Sequence, residues 1–325
     1  MIDNDKYMYM INNNKYLTEC HKKNFRFLYS KINTKYVGRD SNKQFATYIH
    51  DNINKFQYMG KLSELLFHFC DNTHIINKII KKIIKNKFIT DKKVIEYLVH
   101  KLKTTYIHQK IYNKELCNKW DYIFQNLFLK YKELNTNISN IKYLDYGCGN
   151  GSKTNKFANN FKLNKENIYG CDIKSWGPYE QKQIKHNFNF KYISENEKID
   201  FHDNKFDIIT CFFVLHHIKN LENTMKELQR VIKPNGILLI FEHNIIDDSE
   251  FMLLDIEHLL YEIIYNKNYE YFNNPIYAQY YNYIEWDYIM NKFNFNYVKS
   301  HVLFTHVNNN FLYDNSFYAF YKINK

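Results

Sequence analysis

From about residue 61 the chain settles into a helical rhythm. Ile75, Ile76, Ile79, Ile80, Ile83 and Ile84 recur every three to four positions, with Lys78, Lys81, Lys82 and Lys85 between them. That spacing predicts one helix with an apolar stripe and a basic face. Thr90-Asp91 has the chemistry of a helix N-cap, and Val94, Ile95, Leu98 and Val99 follow at helical spacing. A further helix is expected over Leu116–Leu134. Residues 1–60 are polar and aromatic without a clear period.

The polar stretch Asn135-Thr136-Asn137-Ile138-Ser139-Asn140 reads as a loop, and beyond it the texture changes. Short apolar runs at Lys142–Tyr146, Asn167–Asp172, Phe188–Ile193, Phe206–Phe213 and Gly236–His243 alternate with helical stretches such as Gly151–Phe161 and Leu221–Ile232. Runs of that length alternating with helices predict βαβ units and a parallel sheet buried on both faces. A helical region is expected from Glu250 to about Phe293, then two last strands at Tyr297–Phe304 and Ser316–Ile323. The chain therefore divides into a mostly helical segment, residues 1–115, and an α/β domain, residues 116–325.

Charge follows the same division. Residues 1–140 carry 25 Lys and Arg against 12 Asp and Glu, while the rest carries 20 against 22. A basic segment attracts anionic partners, so nucleic acid is a candidate partner of the N-terminal domain. Lysines on solvated faces of a chain rich in Asn, Lys, Ile and Tyr account for the same numbers; that bias suits an AT-rich genome, such as a large DNA virus or a protist. Cys20, Cys70, Cys117, Cys148, Cys171 and Cys211 form no CxxC pair, which points to free thiols in a reducing compartment rather than a zinc knuckle or a disulfide framework. The first residues lack a secretory signal, and no apolar run approaches the ~20 residues of a membrane span, so a soluble intracellular protein is expected with no membrane partner.

The most informative segment is Tyr143-Leu144-Asp145-Tyr146-Gly147-Cys148-Gly149-Asn150-Gly151. A chain with only eight glycines places three of them at alternate positions directly after an apolar strand. Glycine there permits a sharp turn and close approach of a ligand. The crevice beyond the carboxyl ends of the first strands is where nucleotides bind in open α/β sheets. Asp172 closes the next strand, 23 residues after Gly149, where a carboxylate can accept both hydroxyls of a ribose. A dehydrogenase fingerprint would want glycine at 152, where Ser152 stands.

These residues resemble the first motif of class I S-adenosylmethionine-dependent methyltransferases, and the chain continues in that family's order. Glu195-Asn196 aligns with the pair that meets the adenine. The run Phe206 to Ile218, with Val214-Leu215-His216-His217, resembles the fourth strand and its exit in the small-molecule and quinone-type enzymes. Leu228 to Gly236 resembles the helix and turn before the fifth strand. The resemblance covers about Leu116 to Lys325 and departs at Asn235, Asn196 and Asp200, where Gly, Ala and Pro are common. It implies a Rossmann-like seven-stranded sheet with helices on both faces, S-adenosyl-L-methionine as cofactor, and a cofactor site formed by Asp145, Gly147, Cys148, Gly149, Asp172, Ile173, Glu195, Asn196, Phe212 and Phe213. Asp145 can equally be a structural acid that bonds the turn amides.

Methyl transfer from a sulfonium asks mainly for alignment of the acceptor at about 3 Å and exclusion of water, so no dedicated nucleophile is needed. If a base is required, His216 and His217 follow strand four, and Glu242 and His243 end strand five; His216 and His243 are the candidates. Either histidine of the pair can instead fix its loop through a backbone hydrogen bond. No nearby Cys or carboxylate completes a metal set around the pair, so no metal is expected. The methyl acceptor, small molecule or nucleic acid, is left open, as is a non-catalytic subunit that keeps the fold and serves a partner. Tyr261, Tyr265, Tyr269, Tyr271, Tyr277, Tyr280, Tyr281 and Tyr283 can pack or stack on a planar substrate.

Overall fold

The computed structural model describes residues 62–63, 65–66, 69–70, 72–86, 91–103, 120–121, 123–125, 128–129, 131–132, 140–173, 188–194, 198–245, 248–264, 278–303 and 316–325. The isoleucine stripe forms α1 (Thr73–Asn86), and α2 (Asp91–Lys103) begins at the expected aspartate. Asn72 caps α1, its Oδ1 accepting from the backbone N–H groups of His74 and Ile75 at 3.0 and 3.2 Å. Ile76, Ile79, Ile80 and Ile83 are buried, whereas Lys78, Lys81, Lys82 and Lys85 are exposed. The stripe is thus a packing surface. It shares one apolar cluster with Val94, Leu98 and Leu102 of α2 and with Leu253, Ile256, Leu260 and Ile264 of a helix far along the chain.

The α/β part runs β1 (Tyr143–Tyr146), α3 (Ser152–Asn160), β2 (Ile168–Ile173), β3 (Asn189–Ile193), β4 (Phe206–Phe212), α4 (Leu221–Val231), β5 (Ile232–His243), α5 (Asp248–Ile264), α6 (Tyr283–Lys292), β6 (Phe295–Leu303) and β7 (Ser316–Ile323). The strands form one seven-stranded sheet in the order β3-β2-β1-β4-β5-β7-β6. β1 to β5 are parallel to one another, and β7 runs antiparallel between β5 and β6. Strand order reverses between β1 and β4, which opens a crevice at the carboxyl edge of that pair.

Alternation along each strand sorts the core into two layers. Leu144, Ile209, Leu238 and Ala319 face α4 and α6, packing with Met225, Leu228, Trp286 and Met290. Tyr143, Ile208, Leu239 and Phe320 face the other way, onto Phe157 of α3 and onto Trp120 and Phe124. The described residues among 120–132 are helical, as the spacing predicts, and supply those two rings. β5 begins four residues before the expected Gly236, because Ile232 already pairs with Phe206. The intervening turn puts Asn235 at φ 62°. That left-handed conformation is tolerated by asparagine better than by other side-chain-bearing residues, which explains how Asn stands where Gly is common.

Candidate functional site

The glycine turn sits at the carboxyl end of β1, at the reversal of strand order. Gly147 and Gly149 have φ of 74° and 51°. A Cβ on Gly147 would lie 2.2 Å from Cγ2 of Val214, whereas a Cβ on Gly149 would meet nothing within 4 Å. The first glycine therefore makes room for the β4 exit, and the second leaves open space over the turn. The turn amides are not a free cradle. Gly147 and Cys148 donate to the Cys171 carbonyl at 2.8 and 3.1 Å, and Gly151 donates to the Cys148 carbonyl at 2.9 Å. Gly149 turns its N–H to the acid at the end of β2, reaching Oδ2 of Asp172 at 2.5 Å. Oδ1 of Asp172 accepts from Ile173 N–H at 2.7 Å. The two sequence motifs thus meet at one edge of the crevice.

Asp145 is buried and does not bond the turn amides. Its carboxylate accepts from the Thr154 hydroxyl at 2.5 Å and the Thr210 hydroxyl at 2.7 Å, tying β1 to α3 and β4. Burial raises this carboxyl from 3.8 to about 6, against the lowering effect of the two threonines. Cys148 and Phe212 belong to the core layer under α3: a Cβ on Gly170 would touch Cys148 Sγ, and the Phe212 ring packs on Trp120 and Phe124. Phe213 is different. It has φ 58°, a strained state for a bulky residue, with its N–H bonded to the Phe241 carbonyl at 2.8 Å. Its ring leaves the strand and lies against Phe241 and His243. Glu195 and Asn196, like Tyr265, Tyr269, Tyr271 and Tyr277, lie outside the described residues.

At the exits of β4 and β5 a polar cluster is assembled around Glu242. This carboxylate is fully buried; Oε1 accepts from the backbone N–H groups of Val214 and Leu215 at 3.1 and 2.8 Å, and Oε2 lies 2.5 Å from His216 Nδ1. It staples the Val-Leu-His-His turn to β5. His216 is also buried, and burial pushes its imidazole down to about 3. Its ring lies 3.9 Å from that of His217, 5.0 Å from His243 and 5.3 Å from His258, centroid to centroid. The Tyr280 hydroxyl is 3.0 Å from His258 Nδ1.

Sequence reasoning singled out His216, His217, Glu242 and His243, and named Tyr280 only among tyrosines that can pack or stack; it did not single out His258 or Lys153. His258 stands in the apolar run of α5, and its only signal there is a polar ring among leucines. Lys153 occupies the first turn of α3, where the helix dipole disfavours a cation. Its ammonium instead sits over the rings of Trp120 and Phe213, 4.7 and 5.4 Å from their centroids, and burial pulls it down to about 8 against the carboxylates of Asp145 and Glu242.

A methyltransferase-domain family model matches residues 112–300, more than half of the chain. The chain belongs to the methyltransferase-domain family. Its relatives include the ubiquinone biosynthesis O-methyltransferase of Rickettsia typhi, 30% identical over 122 residues, which are 37% of this chain and 46% of that one. A thiol S-methyltransferase of Homo sapiens is 27% identical over 147 residues, 41% of this chain and 53% of that one. This methyltransferase-domain chain therefore spans about half the length of the curated relatives it matches. Among solved structures, a SAM-dependent methyltransferase from Aquifex aeolicus is similar with a TM-score of 0.40 and 19% identity, over 59% of this chain and 87% of that one. No helix among the described residues is long and apolar enough to cross a membrane.

Proposed function

We propose that this methyltransferase-domain protein transfers the methyl group of S-adenosylmethionine to the oxygen or sulfur of a small organic acceptor. The observation that carries the reading is the pairing of an open glycine turn with a carboxylate. Nothing lies within 4 Å of the Cβ position of Gly149, and the Asp172 carboxylate borders that space. This donor set fits an adenosyl compound: Asp172 would accept from the ribose hydroxyls, and Gly149, lacking a side chain, would let the ligand lie close against the backbone.

When bound, S-adenosylmethionine supplies a methyl group already activated by the positive sulfur. The chain's own residues supply alignment and dryness. Phe213, held in its strained conformation, lays its ring against Phe241 and His243 at the β5 exit. A hydroxyl or thiol acceptor loses one proton as it gains the methyl group, and His243, the half-buried ring beside Phe213, is the candidate to take it. His216 is the positioning histidine, locked by Glu242. The names of the relatives, an O-methyltransferase and a thiol S-methyltransferase, support an oxygen or sulfur acceptor.

Calorimetry with S-adenosylhomocysteine tests the cofactor half of this reading. Wild-type protein binds it, and Asp172→Ala weakens binding by about 10- to 100-fold, the loss of one charge-assisted hydrogen-bonding group. Absence of binding to the wild type overturns the reading. Transfer of labelled methyl to a panel of phenols and thiols then identifies the acceptor class.

A further inference from the structure

Two segments far apart in sequence bring three imidazoles together beside the crevice. His216 and His217 come from the turn after β4, His258 from α5, and one ring nitrogen of each lies within 4.8 Å of the others. One hydrogen bond fixes the proton on His258. His258 Nδ1 is 2.8 Å from the Leu254 carbonyl oxygen, which can only accept, so Nδ1 carries the proton and Nε2 a lone pair. Glu242 accepts two backbone N–H groups through Oε1, and its Oε2 lies 2.5 Å from His216 Nδ1; an ionised Glu242 takes the Nδ1 proton and leaves a lone pair on His216 Nε2. The two Nε2 atoms face each other at 3.3 Å.

Two lone pairs at that distance repel, so either one ring donates a proton to the other or a cation lies between them. A tetrahedral metal ion bound to both at about 2.0–2.1 Å would hold them about 3.3–3.4 Å apart, the separation seen. The outer contacts suit ligation as well. Metal-bound histidines usually give their second N–H to a carboxylate or a backbone carbonyl, the partners that His216 and His258 have. The half-buried His217 places a ring nitrogen within 4.8 Å of both and is the third ligand candidate. Neutral imidazoles without thiolate or a directly facing carboxylate oxygen select first-row transition metals over magnesium or calcium.

We propose that His216, His217 and His258 bind one divalent transition metal ion, zinc being the best chemical match, with an open fourth coordination position. Three protein ligands and one open position are the pattern of a catalytic rather than a structural zinc site. The site does not depend on the cofactor reading above.

The test uses the full-length chain without a polyhistidine tag, stripped with chelator and titrated with zinc by calorimetry and with cobalt by visible absorption. One equivalent of zinc binds with a dissociation constant below micromolar. Cobalt gives the intense visible absorption of a four-coordinate site without a thiolate charge-transfer band. His258→Gln and His217→Gln each weaken zinc binding at least 100-fold while circular dichroism keeps its wild-type form, and Glu242→Gln weakens it about 10- to 100-fold. Substoichiometric zinc would mean that the two rings share a proton, and the proposal fails. A thiolate band, or affinity unchanged in both histidine variants, places the metal elsewhere and equally overturns it. The wild-type titrations decide the matter even if a variant does not fold.

Discussion

Gly147 and Gly149 look alike in sequence and are asked for different things. Both have positive φ, but a methyl group on Gly147 would collide with Val214, while one on Gly149 would enter open space. Gly147→Ala should lower unfolding free energy by about 2–4 kcal/mol, combining backbone strain with overpacking. Gly149→Ala should cost only about 1 kcal/mol of stability yet abolish S-adenosylhomocysteine binding. Chemical denaturation beside calorimetry measures both, and equal stability losses would show the contrast to be wrong. Asp145 offers a pH test. Its folded-state pKa, raised by burial to about 6 from 3.8, means that the folded chain holds this proton more tightly than the unfolded chain does. Stability contributed by that proton is complete only below the unfolded value of 3.8 and is lost as pH rises through about 6, by at most about 3 kcal/mol. Asp145→Asn keeps an acceptor and cannot ionise. The stability difference between wild type and variant should therefore swing against the wild type between pH 4 and 7, and a flat difference would contradict the assignment.

At the scale of elements, α1 shows how a charged amphipathic helix is used here. Ile79 and Ile83 are buried and Lys81 and Lys82 are exposed, so the helix is held by its stripe. Ile79→Ala should destabilise the protein by about 2–4 kcal/mol through a cavity. Lys81→Ala should stay within about 0.5 kcal/mol. Thermal unfolding of the two variants checks this, and a large lysine effect would point to a structural charge network instead. α5 is used on two sides. Leu253, Ile256, Leu260 and Ile264 meet the cluster of α1 and α2, while Leu254 packs with Ile245, Ala278 and Tyr280, and His258 reaches His216. α6 is set by a full capping box: Asn282 accepts from Ile284 and Glu285 N–H, and Glu285 accepts from Asn282 N–H. Asn244, directly after β5, accepts from Tyr283 N–H at 3.0 Å and docks that cap on the sheet.

Across the whole molecule, the N-terminal helices support the α/β part through α5, and α5 delivers a ring to the carboxyl edge of the sheet. The sequence alone determined the alternation of short strands and helices, the glycine turn, the acid at the end of β2 and the isoleucine stripe. These are local consequences of periodicity and of residues that tolerate unusual backbone, and they were legible because each is written within about twenty residues. Strand order at the antiparallel edge was not legible in the pattern, since pairing of β7 with β5 is a contact between residues roughly 80 apart. Only the tertiary structure decided that Asp145 answers two threonines instead of the turn amides, that the Gly147 and Cys148 amides are taken by Cys171, and that Glu242 locks His216. It alone brought His258 to His216 across 42 residues. Side chains on different strands and helices meet according to how the layers pack, and packing distance is not encoded in the spacing of any one segment.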